Sequence, residues 1–267
     1  MNIEGSKSGI KSVLVSKGNS FWDALTSETQ RKNEPLILKT QALLMQYFPA
    51  PYSSPTVLPS RELGLQKATV RQTDDENCSF FSVANGLRIL AGPNVEFTLF
   101  GLKKRYLQIY GGHDLGQIQG TQVLETLFSS GEPFDQFNAL SIPKPLVSGR
   151  PFPMDMYQLL RKFQDGAVGI LDCPYSPLHT RRQGINYTHA RTITGFSSAL
   201  EGIFFHVIDP YDPTEKPWSF RDLIIACTFE TKLNYGLELD DFDSVARSIL
   251  LIEKNKPSGI KTASSNL

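Results

Sequence analysis

Gln72-Thr73-Asp74-Asp75-Glu76-Asn77-Cys78-Ser79-Phe80-Phe81-Ser82-Val83-Ala84-Asn85-Gly86-Leu87-Arg88-Ile89-Leu90 sets a polar loop against a largely apolar run, with a cysteine at the join. The run predicts a helix that begins at Cys78. A cysteine in the first turn of a helix sits at the positive end of the helix dipole. That position favours thiolate over thiol and lowers the pKa below the free value of ~8.5. The amide of Gln72, six residues upstream, is placed to donate a hydrogen bond to an oxyanion forming beside the sulfur. The Asp-Asp-Glu-Asn loop is long enough to fold that amide back over the helix start.

A nucleophile needs a base and a group to orient the base. His189 stands in Tyr187-Thr188-His189-Ala190-Arg191-Thr192-Ile193-Thr194-Gly195-Phe196, which reads as a strand closed by a glycine turn. Asp209 ends a second apolar strand, Ile203-Phe204-Phe205-His206-Val207-Ile208, and is followed by Pro210. The short Ser-Ser-Ala-Leu-Glu-Gly segment between them suits an antiparallel hairpin. In such a hairpin the start of the first strand lies beside the end of the second, which makes His189 and Asp209 neighbours.

The order Gln-x5-Cys, then His-Ala with a Gly-aromatic turn, then Asp-Pro after a strand resembles the papain-like cysteine peptidase superfamily. Within it the chain is most similar to the branch of peptidases that remove double-glycine leaders from bacteriocins. The Gln72-to-Cys78 spacing matches papain's, and Cys78-Ser79-Phe80-Phe81-Ser82 is similar to papain's Cys-Trp-Ala-Phe-Ser. Papain carries Asn and then Ser-Trp as its third element. This chain carries Asp209-Pro210, as the bacteriocin-processing branch does. Ser79 stands where that branch commonly has glycine, and the segment from Cys78 to His189 carries insertions.

The resemblance spans about residues 68–253. It implies a papain-like α+β fold, with a helical N-terminal half that presents the cysteine at a helix start and a C-terminal antiparallel sheet that carries His and Asp. It also implies a thiol hydrolase that cleaves a peptide or protein, with Cys78, His189, Asp209 and Gln72 as catalytic residues and no cofactor or metal. Glutamine deamidation and acyl transfer pass through the same thioester and are the alternative activities. A binding or immunity module on the same fold is the non-enzymatic one. Several bacterial virulence effectors with this fold act on host proteins.

Composition bounds these readings. The 267 residues suffice for a catalytic domain with an extension. Lys+Arg and Asp+Glu balance at 27 each, which argues against a chain-wide electrostatic grip on nucleic acid. The Lys103-Lys104-Arg105 run reads as a solvated helix face. Three irregularly spaced cysteines argue against a disulfide framework, and Cys-x2-Cys zinc pairs are absent. No apolar run reaches the ~20 residues of a membrane span. The first residues lack the apolar core of a secretory signal, so synthesis in a cytosol is expected. Serines at 6, 8, 12, 16 and 20 give the first 20 residues a composition compatible with export into a host cell by a needle-type system.

The expected organisation is an N-terminal helical extension and proline-rich linker over 1–65, a papain-like catalytic domain over 66–254 and a polar tail over 255–267. Leu36, Leu43, Leu44 and Phe48 are expected to bury against the catalytic domain. Helices are predicted over 97–110, 121–129, 154–163 and 218–226, the last capped near Ser219. Strands are predicted over 167–173 and 248–253. Cys173 and Cys227 read as packing residues and His206 as a satisfied strand residue. His113 is the rival base, His179 a loop residue beside the cleft, and Asp212 the alternative to Asp209.

Overall fold

The structure, a computed structural model, describes residues 34–56, 78–110, 127–143, 152–172, 190–210, 217–228 and 248–255. It is a mixed α+β fold built on a seven-stranded antiparallel sheet. In chain order the elements are α1 (34–47), β1 (Tyr52–Ser53), α2 (Cys78–Ala91), a 3-10 turn (Val95–Phe97), α3 (Leu99–Tyr110), β2 (Phe137–Pro143), α4 (Phe152–Gln164), β3 (Val168–Asp172), β4 (Ala190–Ala199), β5 (Gly202–Ile208), β6 (Trp218–Ser219), α5 (Phe220–Thr228) and β7 (Ser248–Lys254). The sheet order is β2-β7-β3-β4-β5-β6, and β1 pairs with the far half of β4.

Side chains alternate across the central strands, so the sheet has two buried faces. On β7, Ile249 and Leu251 enter one core while Leu250 and Ile252 pack into the other. The first core joins the sheet to α1, α4 and α5 through Ile37, Leu44, Phe48, Leu159, Phe163 and Leu223. The second joins it to α2 and α3 through Phe80, Val83, Leu87 and Leu102. The helices therefore cover both faces, and two of them lie in the C-terminal half. Two strands, β1 and β2, come earlier than a helices-first order allows.

Local chemistry explains the element ends. α4 shows Met156, Leu159, Leu160 and Phe163 at i, i+3, i+4, i+7, all fully buried. It stops at Gly166, whose φ of 92° only glycine adopts at little cost. There the Gly166 N–H donates to Phe163 O and the Ala167 N–H to Lys162 O, a Schellman pair that turns the chain directly into β3. Ser219 caps α5 as the sequence predicts. Its Oγ accepts from the Asp222 N–H at 3.2 Å, and Asp222 Oδ2 accepts from the Ser219 N–H at 3.0 Å.

Some expectations change. Leu44 and Phe48 are buried as expected, but Leu36 and Leu43 are exposed, and Ile37 and Thr40 complete the buried stripe that α1 and Phe48 form. The spacing of three, four and four selects that stripe, one step round from Leu36. Gly195 does not close the first strand. β4 runs on to Ala199, and Leu200 and Glu201 make the turn to Gly202. The 137–143 segment, for which no strand is predicted from the sequence, forms β2 against β7, with Pro143 at its last position. Among the described residues no helix is long and apolar enough to cross a membrane.

Candidate functional site

Cys78 is the first residue of α2 and is half-buried. The helix holds that position because its apolar stripe, Phe80, Val83, Ala84 and Leu87, is sunk into the core beneath the sheet. Gly86 sets how closely the helix lies. A Cβ at that position would meet Val168 Cγ1 at 3.3 Å and Ile252 Cδ1 at 3.4 Å. One turn along from Cys78, Ser82 ties the helix to β4. Its Oγ donates to the Ala190 carbonyl at 2.8 Å, and Thr192 Oγ1 donates back to the Ser82 carbonyl at 2.9 Å. All three residues are buried. In a water-free layer these bonds have no solvent competitor, so they fix the first turn of α2 against the start of β4.

The end of β5 reaches the same place. Thr192 pairs with Ile208, and the next two residues along are Arg191 and Asp209. Arg191 Nε donates to Asp209 Oδ2 at 2.8 Å, and neither side chain has any solvent exposure. The guanidinium carbon lies 5.7 Å from the centre of the Trp218 ring, within cation–π range. A β-bulge produces this pairing. The register that leaves the hairpin turn as Ala199↔Gly202 would, if unbroken, set Thr192 opposite Asp209. The register shift between Ile193 and Gly195 adds one residue to β4 and moves Arg191 there instead.

Of the residues singled out from sequence, Cys78 and Asp209 lie on elements that Ser82 and the β4–β5 register bring into one neighbourhood. Gln72 and His189 lie outside the described residues, as do Cys173, His113, His179 and Asp212. His189 directly precedes Ala190, the first residue of β4 and the partner of Asp172 on β3. Cys227 is buried in the core of α5. His206 pairs with Gly195, and its Nε2 lies 2.9 Å from Ser197 Oγ. Burial pushes the His206 imidazole below its ordinary pKa, because the charged form loses its hydration there.

Sequence reasoning missed Arg191, Ser82 and Thr192. A lone arginine in a β-branched strand was the available signal for the first. Its partner depends on the bulge, and no pattern of residue types announced that bulge.

Among the described residues no group of three or more His, Cys, Asp or Glu side chains is placed to hold a metal ion. A groove of about 520 Å³ runs along α3, lined by Phe100, Lys103, Lys104, Leu107 and Gln108. Its lining holds two lysines and a glutamine among apolar side chains and, among the described residues, no Cys, His, Asp or Glu. Lys103 Nζ lies 6.0 Å from the centre of the Phe80 ring, so the groove borders the same helix turn as Cys78. No protein-family model matches the chain, and no curated protein does.

Proposed function

We propose that the chain is a cysteine peptidase of papain-like fold acting on a peptide or protein. One observation carries the reading. A half-buried thiol opens a helix that is hydrogen-bonded, one turn on, to the carbonyl of the residue after His189, beside a strand end that bears a buried aspartate in contact with Arg191.

In this mechanism the imidazole of His189 takes the Cys78 thiol proton. The thiolate attacks the scissile carbonyl carbon, and the oxyanion is held by the Gln72 amide and the backbone N–H of Cys78. The C–N bond then breaks, and the imidazolium returns its proton to the leaving amine. Water, deprotonated by His189, attacks the thioester carbonyl, expels the thiolate and releases the acid. Asp209 orients His189 and stabilises the imidazolium. Deamidation of a glutamine side chain uses the same steps with ammonia as the leaving group. Acyl transfer replaces water by an amine. Export into a host cell is part of the proposal and rests on the serine-rich first 20 residues alone.

The Arg191–Asp209 ion pair favours one second reading, in which Asp209 is purely structural and the chain is a binding module. Intact-mass analysis after exposure to an electrophilic cysteine trap separates the two. A peptidase should give a single fast adduct that disappears in Cys78→Ala and slows sharply in His189→Ala. An adduct that persists in Cys78→Ala, or a Cys78 no faster than a free thiol, removes the peptidase reading.

A further inference from the structure

We propose that the outer edge of β2 is a self-association surface, on which a second copy of this chain docks its own β2 antiparallel about a two-fold axis through Leu140. The sheet then runs unbroken through both copies.

β2 is the last strand of the sheet, and among the described residues β7 is its one strand neighbour. Its backbone directions follow from two bonds at its start. Beyond the Phe137↔Lys254 pair come Gln136 and Asn255, and the Asn255 N–H donates to the Gln136 carbonyl at 2.8 Å. Gln136 and Asn255 are therefore a hydrogen-bonded pair. Such pairs alternate along an antiparallel ladder, so Asn138, Leu140 and Ile142 are the residues bonded to β7. Phe137, Ala139 and Ser141 turn their N–H and C=O groups to the outer edge. The Phe137 N–H agrees, since it donates to the Phe134 carbonyl at 3.1 Å rather than to β7. The Ala139 and Ser141 N–H groups have no acceptor among the described residues.

Edge strands are ordinarily kept apart by charge, by bulges or by being short. β6, at the other border, has two residues. β2 has seven, pairs with β7 without a register break and carries no charged side chain. Asn138 and Ser141 are exposed, and so is Leu140, at 39 %. Aligning all of these strand positions antiparallel sets Leu140 opposite Leu140, and Ala139 opposite Ser141 of the second copy. The free donors then find acceptors. Ala139 N–H donates to the Ser141 carbonyl of the second copy, Ser141 N–H donates to its Ala139 carbonyl, and the two-fold repeats both. At each end Phe137, whose N–H is already used, faces Pro143, which has none to give. The ladder closes with no N–H left over. Leu140 meets its own copy in a non-hydrogen-bonded pair, where Cα atoms approach to about 4.5 Å and the side chains touch. A foreign strand finds no charge to read on this edge. A copy of β2 matches it at every position and, being neutral, meets no like-charge repulsion.

Sedimentation velocity on the full chain between about 1 and 200 µM is the test. Wild type should shift from monomer to dimer over that range. Leu140→Lys sets like charges on the two-fold axis and should raise the dimer dissociation constant by about tenfold or more. Because Leu140 is exposed, its far-UV circular dichroism should match wild type. Ser141→Pro removes a free donor from the edge and should weaken the dimer likewise. Leu140→Cys should form an interchain disulfide on mild oxidation, since about 4.5 Å between Cα atoms suits that bond. Asn138→Cys faces Ile142 of the second copy and should not exceed the background set by the wild-type cysteines. A wild-type chain that stays monomeric throughout overturns the proposal, even where β2 takes up an added extended peptide. A dimer that Leu140→Lys and Ser141→Pro both leave intact uses another surface and overturns it too. Should either variant not fold, the Leu140→Cys crosslink decides: its formation supports the proposal and its absence overturns it.

Discussion

At the scale of single residues, the molecule places polar groups where water cannot reach and then pairs them. Arg191 with Asp209 and Ser82 with the Ala190 carbonyl are the two cases nearest the candidate site. His206, partly buried and in contact with Ser197, is a further paired polar group, and it has a measurable consequence. Its imidazole is held below its ordinary value of 6.5 by burial. Between that value and the lower folded one, the unfolded chain binds a proton that the folded chain refuses. The unfolded state therefore gains, so the contribution of His206 to stability is full above about pH 6.5 and falls as the pH drops. Urea unfolding of wild type and His206→Gln at several pH values should show a shallower decline below pH 6.5 in the variant. Parallel profiles would mean that His206 titrates alike in both states. Cys78 was legible as a candidate because helix starts and thiol chemistry are local properties. Arg191 was not, because an arginine in a strand has no meaning until its partner is known.

At the scale of elements, α2 carries the candidate nucleophile Cys78 and lies close against the sheet. A side chain added at Gly86 would press against methyls of Val168, Ile252 and Ile170, the nearest at 3.3 Å. Gly86→Leu should overpack this contact, costing about 1–3 kcal/mol or more in chemical denaturation, with slower Cys78 alkylation as α2 is pushed off β4. Loss of less than about half a kcal/mol would show that the layer has room and that close helix approach is not what seats Cys78. The α2, α4 and α5 helices were readable from their apolar spacing and, for α5, from the Ser219 cap. The β4–β5 hairpin was readable from two runs of alternating β-branched and aromatic residues. The bulge within it was not. Thr194 is one more threonine in a strand of the same character, and only its neighbours reveal that it is the extra residue. β2 was hidden by the prolines after Ile142, which mark a sheet border as readily as a loop.

At the scale of the whole molecule, residues 34–56 are built into the core. Phe48 is 2 % exposed, and its ring meets Tyr52, Tyr157 and Phe196 at 5.2–6.1 Å between centroids. Ser54 N–H donates to the Phe196 carbonyl, and Ser54 Oγ accepts from the Phe196 N–H, which stitches this segment to β4. Phe48→Ala should therefore cost about 3–5 kcal/mol and shift one cooperative transition. It can be followed in parallel by far-UV circular dichroism and by tryptophan fluorescence, to which buried Trp218 contributes. A separate early step in the helical signal, with the fluorescence transition unmoved, would show instead that the segment melts by itself. The sequence by itself determined the α+β class, the helix start at Cys78, the hairpin ending at Asp209 and the cap at Ser219. Each follows from residue types within a few positions of one another, where backbone preference and local hydrogen bonding decide. Only the tertiary structure decided that helices cover both sheet faces, that Ile37 rather than Leu36 faces the core, and that Arg191 meets Asp209. Those outcomes depend on which surfaces are left to bury and on strand register. A one-residue change of register moves every side chain beyond it to a new partner, and no local preference records that.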